Sequence, residues 1–117
     1  MSQNIVLDKA YKFALRIVAL YRHLAEEKKE FVLSKFVLAS GTQIGARIEV
    51  AQEAESRPGF IHEMSIALQK ATETRYWLRL LYEGGFLKEQ EFDSIFAECQ
   101  ELFALLTSIV KSSKGTN

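Results

Sequence analysis

Apolar residues recur at spacings of three and four in four successive stretches of this chain, and only short polar breaks separate the stretches. The first set is Val6, Ala10, Phe13, Ile17, Leu20 and Leu24. The second is Leu33, Val37, Ile44, Ile48 and Ala51. In the third, Phe60, Met64, Ala67, Leu68, Ala71, Leu78 and Leu81 keep the period, with Thr74 completing it. The fourth repeat is the cleanest: Phe92, Ile95, Phe96, Cys99, Leu102, Phe103, Leu106, Ile109 and Val110. Such spacing gathers each set on one face of an α-helix and leaves the other face polar. It predicts helices over residues 6–27, 32–55, 58–82 and 89–111. The punctuation agrees. Asn4 can cap the first helix, and Glu26 to Glu30 is a charged break. Ser56 can cap the third helix with Pro58 in its first turn, where a missing N–H costs little. Gly84-Gly85 ends it. The tail from Ser112 to Asn117 is polar. Long helices with short connections predict an all-α, up-down-up-down antiparallel four-helix bundle forming one domain. A chain of 117 residues buries about two thirds of its unfolded surface.

The second helix carries two glycines four residues apart, Gly41 and Gly45, on one face. Each costs about 1 kcal/mol relative to alanine in a helix interior. Their presence predicts a close approach by a neighbouring helix. No lysine or strand-to-helix turn accompanies them, so they are not a phosphate loop.

Around that pair, Ser40-Gly41-Thr42 with Ile44-Gly45-Ala46, then Glu53-Ala54 with Ser56, Phe60-Ile61, Ile66-Ala67-Leu68, Ala71, Glu73-Thr74 and Tyr76-Trp77-Leu78 form a pattern. It resembles that of the bacterial four-helix-bundle proteins encoded in intervening sequences of 23S ribosomal RNA, a family related to the accessory variability protein of diversity-generating retroelements. The pattern departs at Gln43 and Arg47, where a small polar residue and an asparagine are expected. The resemblance implies a homopentamer with a central opening, and association with RNA or with a reverse transcriptase–RNA complex.

Composition narrows the chemistry. Lys plus Arg and Asp plus Glu number fifteen each, so the whole-chain field draws the protein neither to nucleic acid nor to an anionic membrane. A single cysteine, Cys99, excludes an intramolecular disulfide and a zinc–thiolate cluster, and suits a reducing compartment. No basic, apolar leader opens the sequence, and no apolar run is long enough to span a bilayer, so a cytoplasmic, membrane-free protein is expected. Helical bundles can hold two metals with Glu-x-x-His pairs, but the residues three before His23 and His62 are Leu20 and Gly59. Cys99 sits on the apolar seam and no serine lies in a nucleophile elbow. The expectation is a non-enzymatic protein without metal or organic cofactor.

Charge and surplus apolar residues suggest where it binds. Lys9, Lys12, Arg16 and His23 share one face of the first helix, and with Arg47 they are candidate nucleic-acid contacts. Residues 83 to 101 invert the sign, with six acids against Lys88. Opposed surfaces of this kind suit self-association or an RNA backbone. Leu7, Tyr11, Leu15 and Val18 form a second apolar strip on the first helix, wider than one buried seam requires. Tyr76 and Trp77 point about 100° apart, so both cannot face the core, and Arg75 and Arg79 flank them. These eight residues are candidate oligomer or partner contacts, because Tyr, Trp and Arg concentrate at interface centres.

Overall fold

The computed structural model describes residues 3–115 and, within them, the side chains from Ile5 onward. Met1, Ser2, Thr116 and Asn117, on which the leader and tail readings partly rest, lie outside the described residues. The order is α1 (Gln3–Glu26), α2 (Leu33–Gln52), α3 (Arg57–Glu83) and α4 (Glu89–Ser113), with no strand among the described residues. The molecule measures 44 × 24 × 22 Å, about the length of its longest helix at 1.5 Å per residue. α2 packs most extensively on α3, α1 on α2 and α3 on α4 follow at equal extent, and α1 on α4 is the lightest contact. Among the described residues no helix is long and apolar enough to cross a membrane.

Each core set named from the sequence faces inward. Of the six on α1, all are buried, and the α4 set is buried or half-buried throughout. Thr74, the polar member of the third period, is buried because its hydroxyl donates to the Lys70 carbonyl (2.7 Å) and meets Ser40 Oγ at 2.9 Å. Ser40 and Thr74 thus satisfy each other across the α2–α3 interface, as buried hydroxyls must.

Helix ends differ from expectation in instructive ways. α1 already includes Gln3, so Asn4, expected ahead of the helix, lies within it. α2 stops at Gln52, three residues short of the predicted end, where Glu53 leaves the helix. Its start is capped from upstream. Lys29, with φ 56°, turns the chain so that the Glu30 carboxylate accepts the N–H groups of Val32 (3.1 Å), Leu33 (2.9 Å) and Ser34 (2.6 Å). What read as a charged break is the N-terminal cap of α2. Ser56 caps α3, accepting from the Gly59 N–H at 3.1 Å, with Pro58 in the first turn. At its other end Gly85 (φ 90°) allows the Phe86 and Gly85 N–H groups to reach back to the Leu81 and Tyr82 carbonyls, at 2.8 and 3.1 Å.

The glycines hold α1 close to α2, by different means. A methyl group at Gly45 would rest 3.5 Å from the Ala10 Cβ and 3.6 Å from its backbone, an ordinary contact. At Gly41 it would meet Ile17 Cγ1 at 2.8 Å. The neighbour there is a branched side chain fixed at χ1, fully buried, that fills the space a Cβ would take. The close approach is therefore backbone to backbone at Gly45 and side chain into notch at Gly41.

Two outcomes follow from these contacts. In thermal or urea unfolding, Gly45→Ala is neutral or stabilising by up to about 1 kcal/mol through helix propensity. Gly41→Ala is destabilising by about 1–3 kcal/mol from overpacking, less that propensity gain. Burial by itself pushes the Glu30 carboxyl up, but hydrogen bonds from the N–H groups of Leu33, Ser34 and Val32 outweigh it and hold its pKa below the usual glutamate value. A carboxylate with a lowered folded-state pKa stabilises fully above its unfolded value, and that contribution is lost as pH falls through the lowered one. Wild type is accordingly more stable than Glu30→Gln at pH 7, and the difference in melting temperature shrinks on acidification towards pH 3.

Candidate interaction surface

The charged face of α1 turns out to lie beside α4. Lys9 Nζ is 3.1 Å from Glu101 Oε2, and Arg16 Nη1 donates to both Glu98 and Ser94. The basic strip and the acidic stretch that suggested two separate surfaces are neighbours in one molecule and pair with each other. Periodicity gives a face, not which helix the face meets. All four side chains are well exposed, so each pair contributes at most about 1 kcal/mol. Lys12 stays exposed beside them. His23 is half-buried in a cavity of about 230 Å³ with Arg16, Leu87 and Glu91. Arg47 stands apart from the rest of the candidate set. Its Nη1 reaches Glu63 at 3.1 Å across the α2–α3 seam, and its Nε is buried with no acceptor. That position makes Arg47 a tie between two helices, with about a third of its side chain exposed.

The apolar candidates are placed as the surplus strip required. Tyr11 and Leu15 are more than half exposed and Val18 is exposed to a lesser degree, while Leu7 is half-buried against the core. Leu7 and Tyr11 line a groove with Ala14 of α1 and with Thr42, Gly45, Ala46 and Glu49 of α2. The close backbone approach at Gly45 forms the floor of that groove. On the other flank of α2, Phe36 stacks on Trp77 with ring centroids 4.9 Å apart, and Tyr76 meets Trp77 edge-on at 5.1 Å. Phe36 and Tyr76 are each about half exposed. Phe36 joins this group without having been singled out from the sequence; its place just outside the Leu33–Val37 core face was the available signal.

Arg75 and Arg79 lie one turn apart on α3 and turn towards α4. The Arg75 guanidinium sits 3.9 Å above the Phe103 ring and donates to Gln100 Oε1 at 2.8 Å. Arg79 is exposed and makes no ion pair or hydrogen bond among the described residues. Cys99 lies underneath. Burial pushes its thiol pKa up to about 12, with the nearby Arg75 charge opposing, and its Sγ meets the Ala71 carbonyl at 3.6 Å. It is a packing residue, not a thiolate. Among the described residues no three His, Cys, Asp or Glu side chains gather as a metal site would require.

A four-helix bundle with an ion-paired α1–α4 seam and an aromatic flank is a class shared by many proteins; comparison narrows it. Residues 2–108 match the model of the 23S rRNA-intervening sequence protein family, and the chain belongs to that family. Among solved structures it is similar to the crystal structure of a protein of unknown function from the S23 ribosomal protein family of Bacteroides thetaiotaomicron. The two share 48% sequence identity over 95% of this chain and 99% of that one, with a TM-score of 0.93. No curated protein matches.

The aromatic flank reports on itself, because Trp77 is the sole tryptophan. Phe36→Ala uncovers its indole, so the emission maximum moves to the red while far-ultraviolet circular dichroism stays helical. An unmoved maximum means the stack does not shield Trp77 in solution.

Proposed function

We propose that the protein is a non-enzymatic binding scaffold that works as a ring-shaped homo-oligomer, with a pentamer favoured, and that RNA or a reverse transcriptase–RNA complex is its partner. The observation that carries the reading is the one-sidedness of the surface. Large exposed apolar side chains lie on α1, α2, α3 and the α1–α2 connection, among them Tyr11, Leu15, Phe31, Phe36 and Leu80, and α4 has none. α4 exposes Glu89, Asp93 and Glu101 in their place. A surface so divided favours an apolar face covered by other copies and an acidic face left in water.

The strip on α1 and the Phe36–Trp77 stack flank α2 on opposite sides, while Tyr76 lines the cavity between α3 and α4 and stays outside that contact. Two different patches that fit each other give a head-to-tail contact, which closes into a ring when the rotation permits; a single self-complementary patch gives a two-fold dimer. Head-to-tail pairing through the α1 and α4 charges loses its support, since those charges satisfy one another within the chain. The contacts also favour an up-down-up-down order. Partners rise along one helix as they fall along the next: Gly41 with Ile17 and Gly45 with Ala10, Phe36 with Trp77 and Arg47 with Glu63, Lys9 with Glu101 and Arg16 with Glu98.

Light scattering coupled to size exclusion tests the assembly. A wild-type pentamer that falls to monomer with Leu15→Glu is the expected result. A wild-type monomer overturns the ring, and a dimer assigns the strip to a two-fold patch. A scaffold whose partners are proteins alone would form the same ring yet retain no RNA at low salt.

A further inference from the structure

We propose that the notch between α3 and α4 is a nucleotide-binding site, with the phosphate held by Arg75 and Arg79 and the base laid against Tyr76. The inference deepens the RNA-partner reading and does not depend on the ring.

The notch is a cavity of about 360 Å³ lined by Thr72, Arg75, Tyr76, Arg79, Phe96 and Gln100. Its lining holds two cations and no acid. Four other cavities differ. Those along the α1–α4 seam set Glu91, or Glu98 and Glu101, against their basic residues. The groove under Tyr11 contains Glu49, and the cavity lined by Phe60 and Met64 has no charge at all. A chain of zero net charge has therefore gathered an uncompensated positive pair in one concave place.

The pair is arranged for a ligand. Positions 75 and 79 are four apart, so both guanidiniums project from the same face of α3. Arg75 is held in place by the Gln100 acceptor and the Phe103 ring, and only one of its five N–H donors is engaged. A preorganised guanidinium loses little freedom when an oxyanion arrives. Arg79, unpaired, can close on the same anion. Guanidinium forks suit phosphate and carboxylate alike. The ring beside them separates the two: Tyr76 is about half exposed and is braced edge-on by Trp77, leaving aromatic surface at the mouth of the notch. An anion that carries its own planar ring satisfies all three side chains, and unpaired nucleotides are recognised by this combination of aromatic stacking and cationic contact. The nucleotide is either free or part of a single strand. Base-paired RNA hides its rings in the stack and does not fit.

The test is anisotropy of a labelled ten-residue oligouridylate at low salt, with unlabelled UMP and inorganic phosphate as competitors. Arg79→Gln weakens binding about tenfold and makes the salt slope shallower by about 0.7. Tyr76→Ala weakens it by about tenfold as well, within the range of a lost base–aromatic stack. Both positions are exposed, and unchanged melting curves show that the variants fold. Lys114→Gln, an exposed charge just past α4 at the end where Ser113 meets Arg57, changes affinity by less than about twofold. UMP displaces the oligomer far better than phosphate does if the free nucleotide is also a ligand; displacement by longer uridylates but not by UMP restricts the site to strands. Oligouridylate that binds equally well to wild type and to both notch variants overturns the notch and leaves RNA association standing elsewhere. Phosphate that competes as well as UMP and the uridylates overturns the ring contact and with it the proposal. No binding by wild type at low salt overturns both.

Discussion

The close approach of α1 to α2 sets one side of the bundle's central helix. At Gly45 the backbone of Ala10 lies where a larger residue would keep it away, and at Gly41 the Ile17 side chain occupies the notch that a Cβ would fill. Two glycines that weaken α2 as an isolated helix are offset by the packing they permit, since dispersion falls off steeply with even half an ångström of separation. On its far side α2 is fixed to α3 by the Ser40–Thr74 hydrogen bond. A buried hydroxyl pair has few alternative partners, so it sets the register of the two helices in a way that interchangeable apolar contacts do not. α2 is the common neighbour through which both relations are made.

Much of this was legible in the residues. The inward faces of all four helices follow from spacing alone, because burial of an apolar stripe is what organises a bundle. Ser56 with Pro58, and Gly84 with Gly85, announce the ends of α3 through backbone chemistry that few other residues supply. Other features were hidden for definite reasons. Glu30 sits in a run of charges, and nothing marks it as a cap until Lys29 turns the chain and points it at three N–H groups. Lys9 and Arg16 read as a free basic strip because the rotation of α4 about its axis, which brings up Glu101 and Glu98, is not written in α1. Arg47 fell between these cases, a charged residue at the edge of a seam whose partner is sixteen positions away on the next helix.

Ion pairing between helices is sparse and local. Lys9 and Arg16 of α1 meet Glu101 and Glu98 of α4, and Arg47 of α2 meets Glu63 of α3. The neutral total says nothing of where the remaining charges gather. Arg79 is set apart by its surroundings, since it lies beside Tyr76 and near the Arg75–Phe103 contact in a cavity without an acid.

The seam between α1 and α4 is the lightest contact in the bundle, and its polar links are solvent-exposed ion pairs of small worth. Local stability need not be uniform in such a fold. The α2–α3 pair, with the most extensive contact and the buried hydroxyl link, forms the slow-exchanging heart of the native state. α1 and α4 can part along their shared edge without unfolding it. The amides of α1 and α4 are bonded within their own helices, so exchange there requires local unwinding, which a light seam resists less than the central α2–α3 contact does.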